Sequence, residues 1–185
     1  SDQRQIEAQL KSALAKNKNQ LDGVFHNAGV LDHDGLISDR SIYGSENVFL
    51  PKVDGTVNLF GAIQKYHPNF ILLSSSISSL AVPFGQVAYA AANTFLNHFA
   101  KANETPIAVK SILWDVWKES GLAARTSGES NQASWKDQLE NGITDEEGIQ
   151  LFEKAINQDE NQIIFSMIDL HGSLKASKEI GRAHV

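Results

Sequence analysis

The fold of this chain is decided by the stretch Phe70-Ile71-Leu72-Leu73, which runs directly into Ser74-Ser75-Ser76. An unbroken run of apolar residues is typical of a strand that is buried on both faces of a parallel sheet. An alanine-rich segment with helical spacing follows at residues 87–102. Strand and helix alternate in this way along most of the chain, which predicts an α/β fold with a doubly wound parallel sheet.

The other elements are predicted from apolar spacing and from turn residues on either side of this run. Further strands are predicted at Leu21–His26, Ala108–Leu113 and Ile163–Phe165. Helices are predicted over residues 3–15, over 43–66 with a break near Pro51, and from Thr144 onward. In that last helix Thr144 and Glu147 are spaced as a capping box, and the expected buried face comprises Ile149, Leu151, Phe152, Ala155 and Ile156. Residues 119–140 are polar and irregular, which predicts a mobile loop or lid.

Composition excludes several classes of protein. The 185 residues include no cysteine, so a disulfide framework, a thiolate nucleophile and a cysteine-ligated zinc site are ruled out. A net charge of −6 argues against a nucleic-acid-binding protein. The apolar stretches are shorter than a membrane helix requires, and no signal peptide opens the chain. A soluble, cytoplasmic protein is therefore expected.

Four residues could form a site at one edge of the sheet. Tyr89 and Asn93 stand four apart on the alanine-rich helix and share a face. Ser76 follows the strand that begins at Phe70, and ligands of open α/β sheets bind beyond such strand ends. Lys52 lies further upstream. Taken singly, these residues are more often a core tyrosine, a turn serine and a solvated lysine.

Together they belong to a recognisable set of motifs. The motifs are Gly23-Val24-Phe25-His26-Asn27-Ala28-Gly29-Val30, Pro51-Lys52-Val53-Asp54-Gly55, Leu73-Ser74-Ser75-Ser76 and Gly85-Gln86-Val87-Ala88-Tyr89-Ala90-Ala91-Ala92-Asn93. From residue 1 to about 170 the chain resembles the ketoreductase domain of modular polyketide synthases and fatty acid synthases, within the short-chain dehydrogenase/reductase superfamily. Most of that superfamily carries Tyr-x-x-x-Lys, whereas this branch has Tyr-x-x-x-Asn with the lysine upstream. The resemblance implies a Rossmann-like fold.

It also implies a role for each residue. Tyr89 would protonate the carbonyl oxygen of a ketone that receives a hydride from NADPH. Lys52 would stabilise the phenolate and hold the cofactor ribose, Ser76 would orient the carbonyl, and Asn93 would support Lys52 and a water. Asn27, Ala28 and Gly29 would lie against the adenosine half of the cofactor, with Lys52 and Tyr89 completing the cofactor-binding set.

No metal site is expected, and His26 and His98 are interpreted as structural. The product configuration leaves a weaker trace in the sequence. Ala81 occupies the position eight residues before Tyr89, where A-type ketoreductases carry tryptophan. Asp34 stands where the last aspartate of the B-type Leu-Asp-Asp signature is expected, so B-type stereocontrol is favoured. The alternative is that Asp32 and Asp34 are solvated loop acids.

The resemblance further implies the substrate and the partners. The substrate would be a β-ketoacyl thioester carried on the phosphopantetheine arm of an acyl carrier protein, and other synthase domains would share the polypeptide. Residues 1–170 would be a partial ketoreductase domain with the last four strands of seven, inactive by itself, followed by a linker at 171–178. Residues 179–185 resemble translated adapter sequence. The alternatives are a free-standing short-chain dehydrogenase acting on a small ketone or alcohol, and a non-catalytic structural remnant.

Overall fold

A computed structural model describes residues 2–32, 35–126, 139–172 and 174–175. The strands are β1 (Gly23–His26), β2 (Phe70–Ser76), β3 (Ala108–Trp114) and β4 (Gln162–Phe165). The helices are α1 (Gln3–Leu14), α2 (Ile42–Lys52), α3 (Asp54–Ile63), α4 (Val87–Ala102), α5 (Gly121–Thr126) and α6 (Asp145–Ile156). Short 3₁₀ turns follow α1, α3 and β2. The predicted alternation of strand and helix is confirmed.

Within the described ranges, all four strands form one parallel sheet in the order β1-β2-β3-β4. The register pairs Gly23 with Phe70 and Phe70 with Ala108, so β1, β2 and β3 are aligned at their amino ends. Ser76 pairs with Trp114 at the opposite end of β2. Every loop that leaves the carboxyl end of a strand therefore emerges at the same edge of the sheet.

The residues of β2 point alternately to two separate cores, which explains the apolar run in the sequence. Ile71 and Leu73 lie in one core, which also contains Phe60 of α3 and Leu96 of α4. Leu72 lies in the other core. There it packs with Ile112, Trp114, Ile143 and Ala155, and the partly buried Phe152 packs against them. Because helices cover both faces of the sheet, none of these strand positions is left for a polar residue.

The ends of the helices follow from local hydrogen bonding. The Asp2 side chain accepts a hydrogen bond from the backbone N–H of Arg4 at the start of α1. Thr144 and Glu147 form the predicted capping box, so the start of α6 is confirmed. The expected break near Pro51 lies two residues later, at Val53, because the backbone N–H of Val53 still donates to the Phe49 carbonyl.

Two sequence expectations need correction. Ile149 was expected on the buried face of α6 but is 61% exposed, whereas Ala155 on the same helix is fully buried. Residues 119–140 were expected to be irregular, but α5 occupies Gly121–Thr126. Residues 127–138 of that expected lid, like Asp34 and the adapter-like tail 179–185, lie outside the described residues. The helix forms where alanine and arginine follow Gly121, which are residues with high helix propensity.

The described helices include no segment with the length and apolar character needed to cross a lipid bilayer.

Candidate active site

The four residues singled out in the sequence lie at the carboxyl edge of the sheet, and they are carried by three different elements. Ser76 is the last residue of β2, and Lys52 is the last residue of α2. Tyr89 and Asn93 occupy successive turns of α4, near its amino end. The chain leaves β2 at this edge of the sheet, so Ser76 at the end of β2 lies near the start of the next helix, α4. Residues far apart in sequence therefore meet at this edge.

Lys52 is buried, with only 3% of its surface exposed. Its Nζ donates a hydrogen bond to the Ser74 carbonyl at 2.7 Å and lies 5.7 Å from the centroid of the Tyr89 ring. Burial lowers the pKa of Lys52 from 10.5 to about 8, because desolvation penalises the charged form. The lysine is therefore still mostly charged at neutral pH, close to the tyrosine.

Tyr89 lies within reach of both Ser76 and Asn93. Burial raises the pKa of the Tyr89 phenol, and hydrogen bonding with the Asn93 and Ser76 side chains acts in the opposite direction. The phenol is consequently protonated at neutral pH. The Ser76 hydroxyl also accepts a hydrogen bond from the Ser78 backbone N–H at 3.1 Å, which fixes the turn after β2.

Asn93 is fully buried. Its side-chain Nδ2 donates a hydrogen bond to the backbone carbonyl of Tyr89 at 2.8 Å, and its backbone carbonyl accepts one from the Ser75 hydroxyl. Its Oδ1 has no hydrogen-bond partner within the described part of the chain. The expected support of Lys52 by Asn93 is absent from the hydrogen bonds of the described residues, where Lys52 donates to Ser74.

The turn after β1 joins this group through Ser74. The Ser74 hydroxyl donates a hydrogen bond to Asn27 Oδ1 at 2.5 Å, while the Ser74 backbone carbonyl accepts one from Lys52 Nζ. A Cβ added at Gly29 would lie 2.9 Å from Lys52 Cε and 3.4 Å from Nζ. Glycine at this position therefore lets the turn after β1 pack closely against the buried Lys52 side chain, and the neighbouring Asn27 and Ala28 are exposed.

Residues 1–119 match the KR domain family. The chain belongs to the ketoreductase (KR) domain family. It is 29% identical over 166 residues to polyketide synthase PksL of Bacillus subtilis (strain 168), an alignment that covers 88% of this chain and 4% of that protein. Relatives such as PksL are large multidomain synthases, of which the chain spans only a few per cent.

Solved ketoreductase structures share the fold. An A1-type ketoreductase superposes with a TM-score of 0.74 at 22% identity, covering 91% of this chain and 35% of that chain. A putative short-chain dehydrogenase from Escherichia coli CFT073, complexed with NADPH, superposes with a TM-score of 0.67 at 20% identity and covers 89% of this chain and 70% of that one. The Rossmann-like fold expected from the sequence is thereby confirmed.

Sequence reasoning missed two contacts of this candidate site. Ser74 connects the Asn27 turn to Lys52, although it looked like one serine among five in a cluster. One interpretation of the sequence makes Asp32 a solvated loop acid, but it is 6% exposed and accepts hydrogen bonds from the first turn of α4. The signal available for Asp32 was its position in the Leu31-Asp32 stretch after the glycine turn.

The two histidines differ in their surroundings. His26 is 7% exposed and lies near Lys52. Burial lowers the pKa of His26, as does the charge of Lys52, while a hydrogen bond to the Pro51 carbonyl acts against both. The ring is therefore neutral at pH 7. His98 lies on the exposed side of α4. The described residues contain no cluster of side chains able to hold a metal ion.

Proposed function

We propose that this chain is part of a ketoreductase domain that reduces a β-ketoacyl thioester, carried on an acyl carrier protein, to the β-hydroxyacyl form. The observation that carries the proposal is the convergence of Lys52, Ser76 and Tyr89 at one edge of the sheet. A ketone that accepts a hydride develops negative charge on its oxygen, and this arrangement offers two hydroxyl donors and a buried cation there.

The residues divide the work as follows. Ser76 and Tyr89 donate hydrogen bonds to the substrate carbonyl and hold it in one orientation. As the carbonyl oxygen gains charge, Tyr89 transfers its phenolic proton to that oxygen and becomes a phenolate. The charged Lys52 stabilises this phenolate, which compensates for the burial that raises the pKa of Tyr89. Asn93, whose Oδ1 has no hydrogen-bond partner among the described residues, would bind a water that returns the proton.

The hydride would come from a bound nicotinamide cofactor. Asn27, Ala28 and Gly29 in the turn after β1 would lie against the adenosine half of such a cofactor, because Ala28 and Gly29 leave the backbone open to close approach. Lys52 would hold the ribose hydroxyls. NADPH is proposed over NADH from the family resemblance, and the NADPH bound to the similar Escherichia coli dehydrogenase supports a nicotinamide cofactor.

The product configuration is proposed to be B-type. Ala81 stands in place of the A-type tryptophan, and Asp34 occupies the position expected for the last aspartate of the B-type signature. Comparison of the configuration of the hydroxyl product with authentic standards tests this part of the proposal. The opposite configuration would refute it.

The partners follow from the family. PksL and its relatives are multidomain synthases, which supports other synthase domains in the same polypeptide as partners, together with an acyl carrier protein and its phosphopantetheine arm. A cytoplasmic location remains a prediction. We propose that residues 1–170 are the carboxyl-terminal part of the reductase domain, that 171–178 are a linker, and that the complete domain is the active unit.

The test uses the complete domain that contains this chain. Purified protein is mixed with NADPH and a β-ketoacyl thioester, and NADPH consumption and the hydroxyl product are measured. Tyr89→Phe removes the acidic proton and keeps the ring, so the rate is expected to fall by about 10²–10⁴-fold. Tyr66→Phe, on the 3₁₀ turn after α3, is the matched control. An unchanged rate in Tyr89→Phe would refute the role of Tyr89.

A further inference from the structure

The amino end of α4, which carries Tyr89, is capped by an aspartate from a distant loop. Asp32 Oδ2 accepts a hydrogen bond from the Ala88 N–H at 2.9 Å and from the Tyr89 N–H at 3.4 Å. The first N–H groups of any helix lack acceptors within that helix. Gln86, the residue at the cap position, makes no side-chain capping bond. Asp32 supplies that acceptor from the loop after β1.

Arg40 fixes Asp32 in this position. Its Nη2 lies 2.8 Å from Asp32 Oδ2, 3.0 Å from the Gly35 carbonyl and 3.1 Å from the Gly85 carbonyl. The side chains of Arg40 and Asp32 are only 7% and 1% exposed. A buried ion pair with further hydrogen bonds is rigid, because moving either partner leaves a charge without compensation. The guanidinium group thus fastens the loop after β1 to the loop before α4.

The two loops also lie close together at two glycines. Gly85 has a φ of +76°, and a Cβ added there would lie 3.5 Å from the Gly35 Cα. The backbone just before α4 therefore lies next to the loop that Arg40 binds. A shift of the loop that contains Asp32 is expected to move the hydrogen-bond acceptor at the first turn of α4.

We propose that Asp32 and Arg40 are positioning residues for Tyr89, an inference that rests on the proposed reductase function. Asp32 holds the backbone N–H of the residue that bears the reacting phenol. The distance from that phenol to Lys52 and Ser76 is therefore set at the start of the helix. Misplacement of a reacting group by about 1 Å costs up to about 100-fold in rate, so a cap at this point controls catalysis without touching substrate.

The experiment is a double-mutant cycle in the complete domain. Asp32→Asn is introduced alone and together with Tyr89→Phe, and kcat is measured for β-ketoacyl thioester reduction. With Tyr89 present, Asp32→Asn is expected to lower kcat by about 10- to 100-fold. In the Tyr89→Phe background it is expected to change the residual kcat by less than about twofold, because Asp32 acts through Tyr89. Equal losses in both backgrounds, or no loss in either, would overturn the inference.

Two further measurements separate this inference from general damage and from the proposed function. Amide hydrogen exchange at Ala88 and Tyr89 is expected to be faster in Asp32→Asn than in wild type, and unchanged exchange there would contradict the cap. This readout holds even where the complete domain proves unable to reduce a β-ketoacyl thioester. In that case the proposed function fails while the cap is still tested.

Matched controls and a milder variant complete the design. Asp159→Asn and Arg4→Lys change exposed residues away from the carboxyl edge of the sheet and are expected to leave kcat unaltered. If Asp32→Asn does not fold, Arg40→Lys provides the same comparison, because it keeps the charge but loses the fork that reaches both loops. Arg40→Lys is expected to lower kcat several-fold when Tyr89 is present and to leave it nearly unchanged in Tyr89→Phe. A loss of kcat in both backgrounds would count against the inference.

Discussion

The Lys52 ammonium group lies 5.7 Å from the centroid of the Tyr89 ring, although α2 carries one residue and α4 the other. In the Tyr-x-x-x-Lys arrangement the cation and the acid would share one helix. Here the distance between the Lys52 ammonium group and Tyr89 depends on how two helices pack on the sheet. The Ser74 carbonyl of β2 accepts a hydrogen bond from Lys52. The electrostatics of the site therefore depend on tertiary packing.

The first prediction concerns stability and pH. Because burial lowers the pKa of Lys52 from 10.5 to about 8, the folded state disfavours its charged form. The resulting cost, about 3 kcal/mol at about 1.4 kcal/mol per pKa unit, is present below pH 8 and disappears as the pH rises from about 8 to 10.5. The stability of Lys52→Met relative to wild type should therefore fall across this range. Urea unfolding at several pH values measures it.

The control for that prediction is Lys101→Met, at the exposed end of α4. Its stability relative to wild type should stay nearly constant between pH 8 and 10.5. A difference between Lys52→Met and wild type that did not change with pH would contradict the burial of a charged lysine.

The second prediction concerns Ser76. Ser76→Ala removes a donor to the developing oxyanion, so kcat should fall by about 10²–10³-fold, while KM changes much less. Steady-state kinetics of the complete domain with a β-ketoacyl thioester test this. Ser12→Ala, on the exposed face of α1, should behave as wild type. A loss that appeared in KM alone would mean that Ser76 only binds substrate.

The third prediction concerns Gly29. In Gly29→Ala the new methyl group would lie 2.9 Å from Lys52 Cε, which is too close for an unstrained contact. The Lys52 side chain must then shift, which is expected to disturb its hydrogen bond to the Ser74 carbonyl and its distance from Tyr89. We expect kcat to fall by about 10-fold or more and cofactor binding to weaken, as measured by kinetics and by fluorescence titration with NADPH. Wild-type values for both would show that the close packing of Gly29 against Lys52 is not needed by the site.

The fourth prediction compares two glycines within helices. A Cβ at Gly148 of α6 would lie 2.1 Å from Trp117 Cη2, so Gly148→Ala should destabilise the fold by about 1–3 kcal/mol through overpacking. A Cβ at Gly61 of α3 meets only the flexible end of Gln3, at 3.2 Å. Gly61→Ala should therefore stabilise by up to about 1 kcal/mol. Urea unfolding of both variants decides, and equal effects would contradict the described packing of Trp117.

The elements that the sequence predicted are those with local causes. The run Phe70–Leu73 predicted a buried strand, because each of its positions faces a core. The capping box at Thr144 predicted the start of α6, because its hydrogen bonds join residues only three positions apart. The break expected near Pro51 lies at Val53, since Pro51 removes only its own N–H while Val53 still bonds to Phe49.

The contacts that sequence could not predict are those that depend on tertiary register. Lys52 bonds to the backbone carbonyl of Ser74, and a carbonyl is present at every position of a chain. Asp32 caps α4 across a separation of 56 residues. Ile149 has helical spacing, but α6 contacts the sheet along a stripe narrower than its apolar face. Such features emerge only when the loops and helices are packed together.

The order of the strands has a consequence for biosynthesis. Because β1, β2, β3 and β4 are neighbours in the sheet in the same order as in the chain, each strand can dock on the one made just before it. Lys52, Ser76 and Tyr89 all precede β3 in the chain, so a ribosome releases them before the second half of this sheet. The sheet can therefore grow at a single edge during translation.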